Sequence, residues 1–201
     1  MTTETRDRLL QAAIAIIEEH GEAAVSVDAV GKAAGVTAPT IYNYFRNRDA
    51  LVAAAQAVRF DDRLAEDFTT FASVVDGIHT REQLVEITTW LLQAFSNPER
   101  SAMRMNRIGA LGAVVGRAEL QQEVVARFTA LCAQLADVIR PLQDRGIVRA
   151  ELDLLAFSAW FTGAITGRLF IELGESPIDA AAWDRVMLDS TLHLLLGPEP
   201  A

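Results

Sequence analysis

Apolar residues recur three and four positions apart along most of the chain, and runs of strict alternation are few. This spacing predicts helices and no strands, an all-α fold. Leu9, Ala12, Ala13, Ile16 and Ile17 form a first stripe over residues 2–20, starting at Thr2 and closed by Gly21. Val27, Val30, Ala33 and Ala34 form a second. Ser26 is placed to cap that helix, and Asp28 suits the positive end of its dipole. Gly35 ends it, because glycine accepts the left-handed backbone of a helix terminus. Val36 then plugs the gap between helices. Thr37 is placed to cap a third helix, with Pro39 in its first turn, where a missing N–H costs nothing. Ile41 and Phe45 face inward there, leaving Thr40, Tyr42, Asn43 and Tyr44 outward. Asn47 caps a fourth helix that begins at Arg48 and runs past Phe60 towards Phe68, with Leu51, Val52, Ala55, Val58 and Leu64 as its apolar face.

After a loop over 73–80, Thr80 and Gln83 have the spacing of a capping box. The helix they open carries Leu84, Ile87, Leu91 and Phe95, with Thr88 and Leu92 alongside. Asn97-Pro98 ends it and starts a shorter segment to about Leu111, after which Gly109, Gly112 and Gly116 mark a turning connection. Val124, Phe128, Leu131, Leu135, Val138 and Leu142 predict a helix over 117–145, ended by Gly146. Pro141 lies inside it and predicts a kink near Asp137, whose carbonyl loses its donor. Asp153 caps a helix over 154–173, followed by Gly174, and Pro177 and Asp179 open a last helix reaching Leu196. Ala159, Gly163 and Gly167 leave a narrow smooth stripe on the first of these two. Val186, Ser190, His193 and Leu194 share a face of the second, widened by Trp183, Met187 and Leu192. Two helices this apolar, in a chain too small to bury every face, predict that these stripes form a subunit interface.

The stretch 26–48 adds chemistry to this pattern. Helix, glycine-containing turn, then a short helix with a polar and aromatic outer face is a helix-turn-helix. Such a second helix lies in the DNA major groove, with its N-terminal residues towards base edges. On that reading Thr40, Tyr42, Tyr44 and Arg48 contact phosphates. Ala38, Pro39 and Asn43 face bases, since Asn pairs with adenine and the Ala or Pro surface meets a thymine methyl. Ser26, Lys32 and Thr37 complete the DNA-binding set, and Arg6 and Arg8 lie near the start of the first helix.

The run AGVTAPTIYNYFRNRDAL, residues 34–51, closely resembles the DNA-binding signature of the tetracycline-repressor (TetR) family of bacterial transcription regulators. Tyr44 stands where a histidine is common and Arg48 where a lysine is usual; both still donate to a phosphate. The resemblance implies a three-helix DNA-binding domain over 1–47 and a larger helical ligand-sensing and dimerisation domain over 48–201. It implies a homodimer built on the last two long helices, a palindromic double-stranded operator, release by a small-molecule effector, and the role of a repressor. The fourth helix then acts as a lever on the reading head. Trp90, Phe95, Met103, Met105, Phe128, Trp160 and Phe161 are the candidates for an effector pocket, and Arg104 and Arg107 are expected at the surface.

The net charge of −9 over 201 residues runs against a nucleic-acid binder, which needs a basic face. The balance is local: residues 1–50 hold five Lys and Arg against seven Asp and Glu, whereas 26–48 hold three against one. Modest non-specific DNA affinity follows, since that affinity scales with the phosphates neutralised. The acidity also supports a rival reading, a helical small-molecule sensor that acts through a protein partner without binding DNA. The polar start Thr2–Arg8 reads as no signal peptide. The uncharged run Leu154–Gly167 is shorter than the about 20 residues a bilayer needs, so no membrane partner is expected. The single cysteine, Cys132, reads as core, and a cytoplasmic location follows by default. His20, His79 and His193 are far apart and no metal-ligand or phosphate-cradling spacing occurs, so neither an enzyme nor a metal or cofactor site is expected.

Overall fold

A computed structural model describes residues 3–61, 64–175 and 178–198. Among them the chain is helical, with no strand. The order is α1 (Thr3–His20), a 3₁₀ turn (Glu22–Ala24), α2 (Val27–Ala34), α3 (Ala38–Tyr42), α4 (Arg48–Asp61), α5 (Leu64–Val75) and α6 (Arg81–Ser96). A second 3₁₀ turn (Pro98–Arg100) leads to α7 (Ser101–Ala113), α8 (Ala118–Asp144), α9 (Leu154–Gly167), α10 (Leu169–Glu172) and α11 (Ala180–Leu196). The expectations for Thr2, Pro177 and the Leu64 side chain lie outside what is described.

Two compact units make up the chain. Unit 1 is Met1–Asp62 with Arg107–Arg127, and unit 2 is Arg63–Asn106 with Phe128–Ala201. Unit 1 includes α4, because Leu51, Val52, Ala54 and Ala55 belong to the same core as Leu9, Ala13, Val30, Ile41 and Phe45. Unit 2 buries Phe68, Leu84, Leu131, Leu142, Phe161 and Leu195 in a second core.

The sequence-level caps are realised where a side-chain oxygen reaches a free N–H. Asn47 Oδ1 accepts from the Ala50 N–H at 2.8 Å. Thr80 and Gln83 close both arms of their capping box. Asp153 accepts from Leu155 and Ala156, and Asp179 from Ala181 and Ala182. Three expectations are corrected. Gly109 and Gly112 lie inside α7, and only Gly116, at φ 75°, turns the chain. The helix expected to continue to Leu173 is divided at Arg168. Ala33 is exposed, and Gly31 takes the buried place on α2. Helix α8 continues through Pro141 to Asp144.

The 19 residues Leu154–Glu172 are long and apolar enough to cross a membrane by length and composition alone, more than the run ending at Gly167 suggested. Half of that stretch is buried inside the protein, and it carries Arg168 and Glu172 as an ion pair. Both features suit a core helix.

Candidate nucleic-acid interface and effector cavity

The geometry of α2 and α3 follows from four local devices. Ser26 has extended backbone, and its Oγ accepts from the Ala29 N–H at 3.1 Å. Gly35 ends α2 in the left-handed region, at φ 67° and ψ 36°. The Val36 N–H then folds back to the Gly31 carbonyl at 2.9 Å. A Cβ on Gly31 would sit 2.9 Å from the Val36 carbonyl oxygen and 3.6 Å from Ile41 Cδ1. Gly31 therefore sets how closely the turn and α3 approach α2. Sequence periodicity passed over it because glycine adds nothing to an apolar stripe.

Thr37 occupies the cap position of α3 but makes no side-chain cap; its hydroxyl meets the Thr40 hydroxyl at 3.1 Å. Its carbonyl accepts from the N–H groups of Thr40 and Ile41. Ile41 and Phe45 are buried in the unit 1 core. Ser26, Lys32, Thr37, Pro39, Tyr42 and Asn43 are exposed, with Tyr42 at 55%. Ala38, Thr40 and Tyr44 are half-buried, and Tyr44 packs against the core.

Arg48 departs from the phosphate-facing role expected of it. Its Nε donates to the Val25 carbonyl at 2.7 Å and its Nη2 to the Glu22 carbonyl at 2.7 Å. Its Nη1 donates to Asp49 Oδ1 at 3.1 Å. The guanidinium fork thus ties the α1–α2 connection to the start of α4, a use that neighbouring residues in the sequence do not reveal. Arg6 is likewise engaged, lying 5.5 Å from the centroid of the Phe45 ring.

Glu22 is a second hub of unit 1. Its carboxylate accepts from Arg117 Nη1 at 2.6 Å and from Gln56 Nε2 at 3.0 Å. Arg107, expected at the surface, is buried: its Nε donates to the Phe60 carbonyl at 2.9 Å while its guanidinium stacks over the Phe60 ring. Residues 107–127 are thus joined to the α1–α2 connection and to α4 by charged side chains.

Arg104 of unit 2 is also corrected from surface to core, being wholly buried. It pairs with Glu172 and donates to the Phe95 carbonyl at 2.7 Å. Glu172 also pairs with Arg168, whose Nε reaches Asp184 Oδ1 at 2.8 Å. Asp184, with Glu172 in support, holds the Arg168 guanidinium above its ordinary range against the opposing effect of burial. The Cys132 thiol is buried, which pushes it above its usual value.

Beside this network lies a cavity of about 30 Å³, lined by α5, α6, α8, α9 and α11. Of the seven pocket candidates it contains Phe95 and Phe161. Trp90, Met105 and Trp160 are substantially exposed, at 52%, 45% and 39%, and Met103 and Phe128 lie outside the lining. Phe68, Phe71 and Phe157 take their place. Periodicity missed them because an apolar stripe marks a buried face without saying which part of that face borders a void.

On the outer surfaces of α9 and α11, Gly163, Val186 and His193 are exposed, and Ala159, Ser190 and Leu194 are half-buried. Leu194 packs on the unit 2 core. Gly167 is covered by the Trp183 ring, whose nearest atom would stand 3.7 Å from a Cβ there. Larger apolar groups are exposed nearby in sequence: Leu155, Phe170 at 71%, Leu173 and Ile178. They lie at helix ends or outside the helical periodicity, where stripe counting does not look.

Residues 9–55 match the family model described as bacterial regulatory proteins, tetR family. An HTH-type transcriptional regulator of Mycobacterium tuberculosis strain H37Rv is 29% identical over 153 residues, covering 75% of this chain and 74% of that one. The HTH-type transcriptional regulator UidR of Escherichia coli K12 is 26% identical over 118 residues, 51% of this chain and 58% of its own length. Two solved structures share the fold. Thermus thermophilus FadR, a TetR-family repressor in complex with lauroyl-CoA, has TM-score 0.67 at 18% identity, covering 97% of each chain. Salmonella enterica GusR has TM-score 0.66 at 20% identity, covering 97% of this chain and 98% of its own. The relatives are named as regulators of transcription and not as enzymes, and the matched segment contains the whole of α2, the turn and α3. Residues 9–55 thus carry the helix-turn-helix segment of the tetR family of bacterial regulatory proteins, on a fold shared with solved regulators of that family.

Proposed function

We propose that this regulator binds a palindromic operator as a homodimer and represses transcription until a small-molecule effector is taken up by unit 2. The observation that carries this reading is the exposed outer side of α3. Pro39, Tyr42 and Asn43 stand free of the core while Ile41 and Phe45 anchor the helix from behind. In this reading Tyr42, Thr40 and Tyr44 meet phosphates, and Ala38, Pro39 and Asn43 meet bases, while Ser26 and Thr37 at the helix starts and Lys32 in the last turn of α2 approach the DNA backbone. Arg48 leaves the set because its donors serve the protein.

The dimer is supported by the apolar surface at Phe170, Leu173, Ile178 and Val186, alongside the smaller Ala159, Gly163, Ser190 and His193. A symmetric pair of readers matches two half-sites one DNA turn, about 34–36 Å, apart. Effector control is supported by the cavity in unit 2 and by the FadR complex with lauroyl-CoA, a repressor of the same fold. An effector shifts operator binding only by its different affinity for the two states of the protein.

The deciding experiment is selection from a pool of randomised duplex DNA at stated salt, with sequencing of the bound fraction. An enriched palindrome whose half-sites lie one turn apart supports the reading and supplies the operator for effector screening. No enrichment by a folded dimer overturns it and favours a sensor that acts through a protein partner.

A further inference from the structure

We propose that the effector of unit 2 is an uncharged, apolar molecule that binds by enlarging the narrow cavity around Phe161. The proposal rests on the reading of unit 2 as the effector-binding part and adds the chemistry of what it binds.

The lining decides the class. Thr88 and Thr191 are its polar members, and it contains no titratable side chain. Thr191 already donates its hydroxyl proton to the Met187 carbonyl at 2.7 Å. A charged group brought into this space would lose its hydration and find no counter-charge, which excludes it unless it is paired. The two guanidinium groups that meet Phe95 of the lining are committed. Arg100 lies 5.5 Å from the centroid of the Phe95 ring and is held by both oxygens of Asp67. Arg104 is wholly buried, paired with Glu172 and bonded to the Phe95 carbonyl. Neither offers a site to an anion without giving up a carboxylate. Aromatic rings attract cations, but a cation here would again lack a carboxylate among the lining residues.

The size decides how binding proceeds. About 30 Å³ holds no organic effector, whose pockets run to about 300 Å³ or more. The occupant must therefore displace side chains. Phe161 is the common member of two ring contacts, edge-on to Phe95 at 6.0 Å and stacked on Phe157 at 5.8 Å. Moving this one ring opens the space against both neighbours, so Phe161→Ala should open it in advance, much as a truncated core side chain leaves a dry cavity that takes apolar guests.

The test uses the full chain and three probes with one hydrocarbon tail: decanol, decanoate and decylammonium, at about pH 8, where the last two are charged. Calorimetry gives affinities, and the methyl resonances of Ile139 and Leu135 report occupancy of the cavity. The expected result is that decanol shifts those methyls and binds at least about tenfold more tightly than either ion, as desolvation of charge demands. Phe161→Ala should tighten decanol further; the wild-type comparison stands by itself if that variant does not fold. Decanoate or decylammonium binding as tightly as decanol, with the same methyl shifts, overturns the uncharged class while leaving the cavity as a ligand site. Decanol that occupies the cavity but leaves operator affinity unchanged supports the ligand class and overturns the effector role. No methyl shift with any probe, in wild type and in a folded Phe161→Ala, overturns both.

Discussion

Gly31 illustrates how one absent methyl group positions α3. In an exposed helix, Gly→Ala stabilises by about 1 kcal/mol. Here the added Cβ would stand 2.9 Å from the Val36 carbonyl oxygen, a backbone atom that cannot swing away. The clash outweighs the propensity gain, so Gly31→Ala should destabilise unit 1 by about 1–3 kcal/mol, the usual cost of overpacking. Urea denaturation checks the sign; a stabilised variant would contradict the packing. Arg48 provides a sharper test. Losing the bonds to the Val25 and Glu22 carbonyls should cost Arg48→Ala about 1–3 kcal/mol of stability. The salt dependence of DNA binding should not change, because no phosphate contact is lost. Tyr42→Ala should do the reverse, weakening operator and random DNA alike at unchanged stability, while Asn43→Ala should chiefly erode sequence preference. Equal binding by wild type and both α3 variants, measured by gel retardation, would remove this face from the interface. The residues around the turn were legible because Ser26, Gly35, Pro39, Ile41 and Phe45 each answer a local rule. Arg48 was not, because its partners lie more than twenty residues back in the chain.

At the scale of elements, the helices were legible from spacing and caps, as the Thr80–Gln83 box and the Asp153 and Asp179 caps show. What spacing cannot express is the pairing of charges between helices. Arg104 is an ordinary polar position on α7 until the fold brings Glu172 to it, and the expectation of a surface arginine failed for that reason. The consequence is energetic. Glu172→Ala leaves a wholly buried guanidinium with carbonyl partners but no counter-charge, which should cost about 3–5 kcal/mol. The exposed pair Arg140–Asp137, at 3.4 Å, should differ: Asp137→Ala should cost no more than about 0.5 kcal/mol. Denaturation midpoints of the two variants at equal slope make the comparison. Similar losses would mean that burial does not govern these pairs. The glycines of α7 make a related point. Gly109 and Gly112 look like punctuation in the sequence, yet only Gly116 has the positive φ that marks a turn.

For the whole molecule, a net charge of −9 and a DNA-reading surface are compatible only if the positive charge is local. Of the five cations in residues 1–50, Arg6 lies over Phe45 and Arg48 serves two carbonyls. Arg8, Lys32 and Arg46 are the exposed ones. In the proposed dimer these exposed cations neutralise at most about six phosphates, so log affinity should fall against log salt with a slope no steeper than about −5. Lys32→Ala, present twice in a dimer, should flatten that slope by about 2 and leave the preferred sequence unchanged. A wild-type slope nearer −10 would require cations beyond these three and would mean that more of the chain touches DNA than α2 and α3. The expected shallow slope makes specificity depend on the short polar and apolar contacts of α3, because a surface with so few charges holds random DNA weakly while an operator still gains from every base it matches.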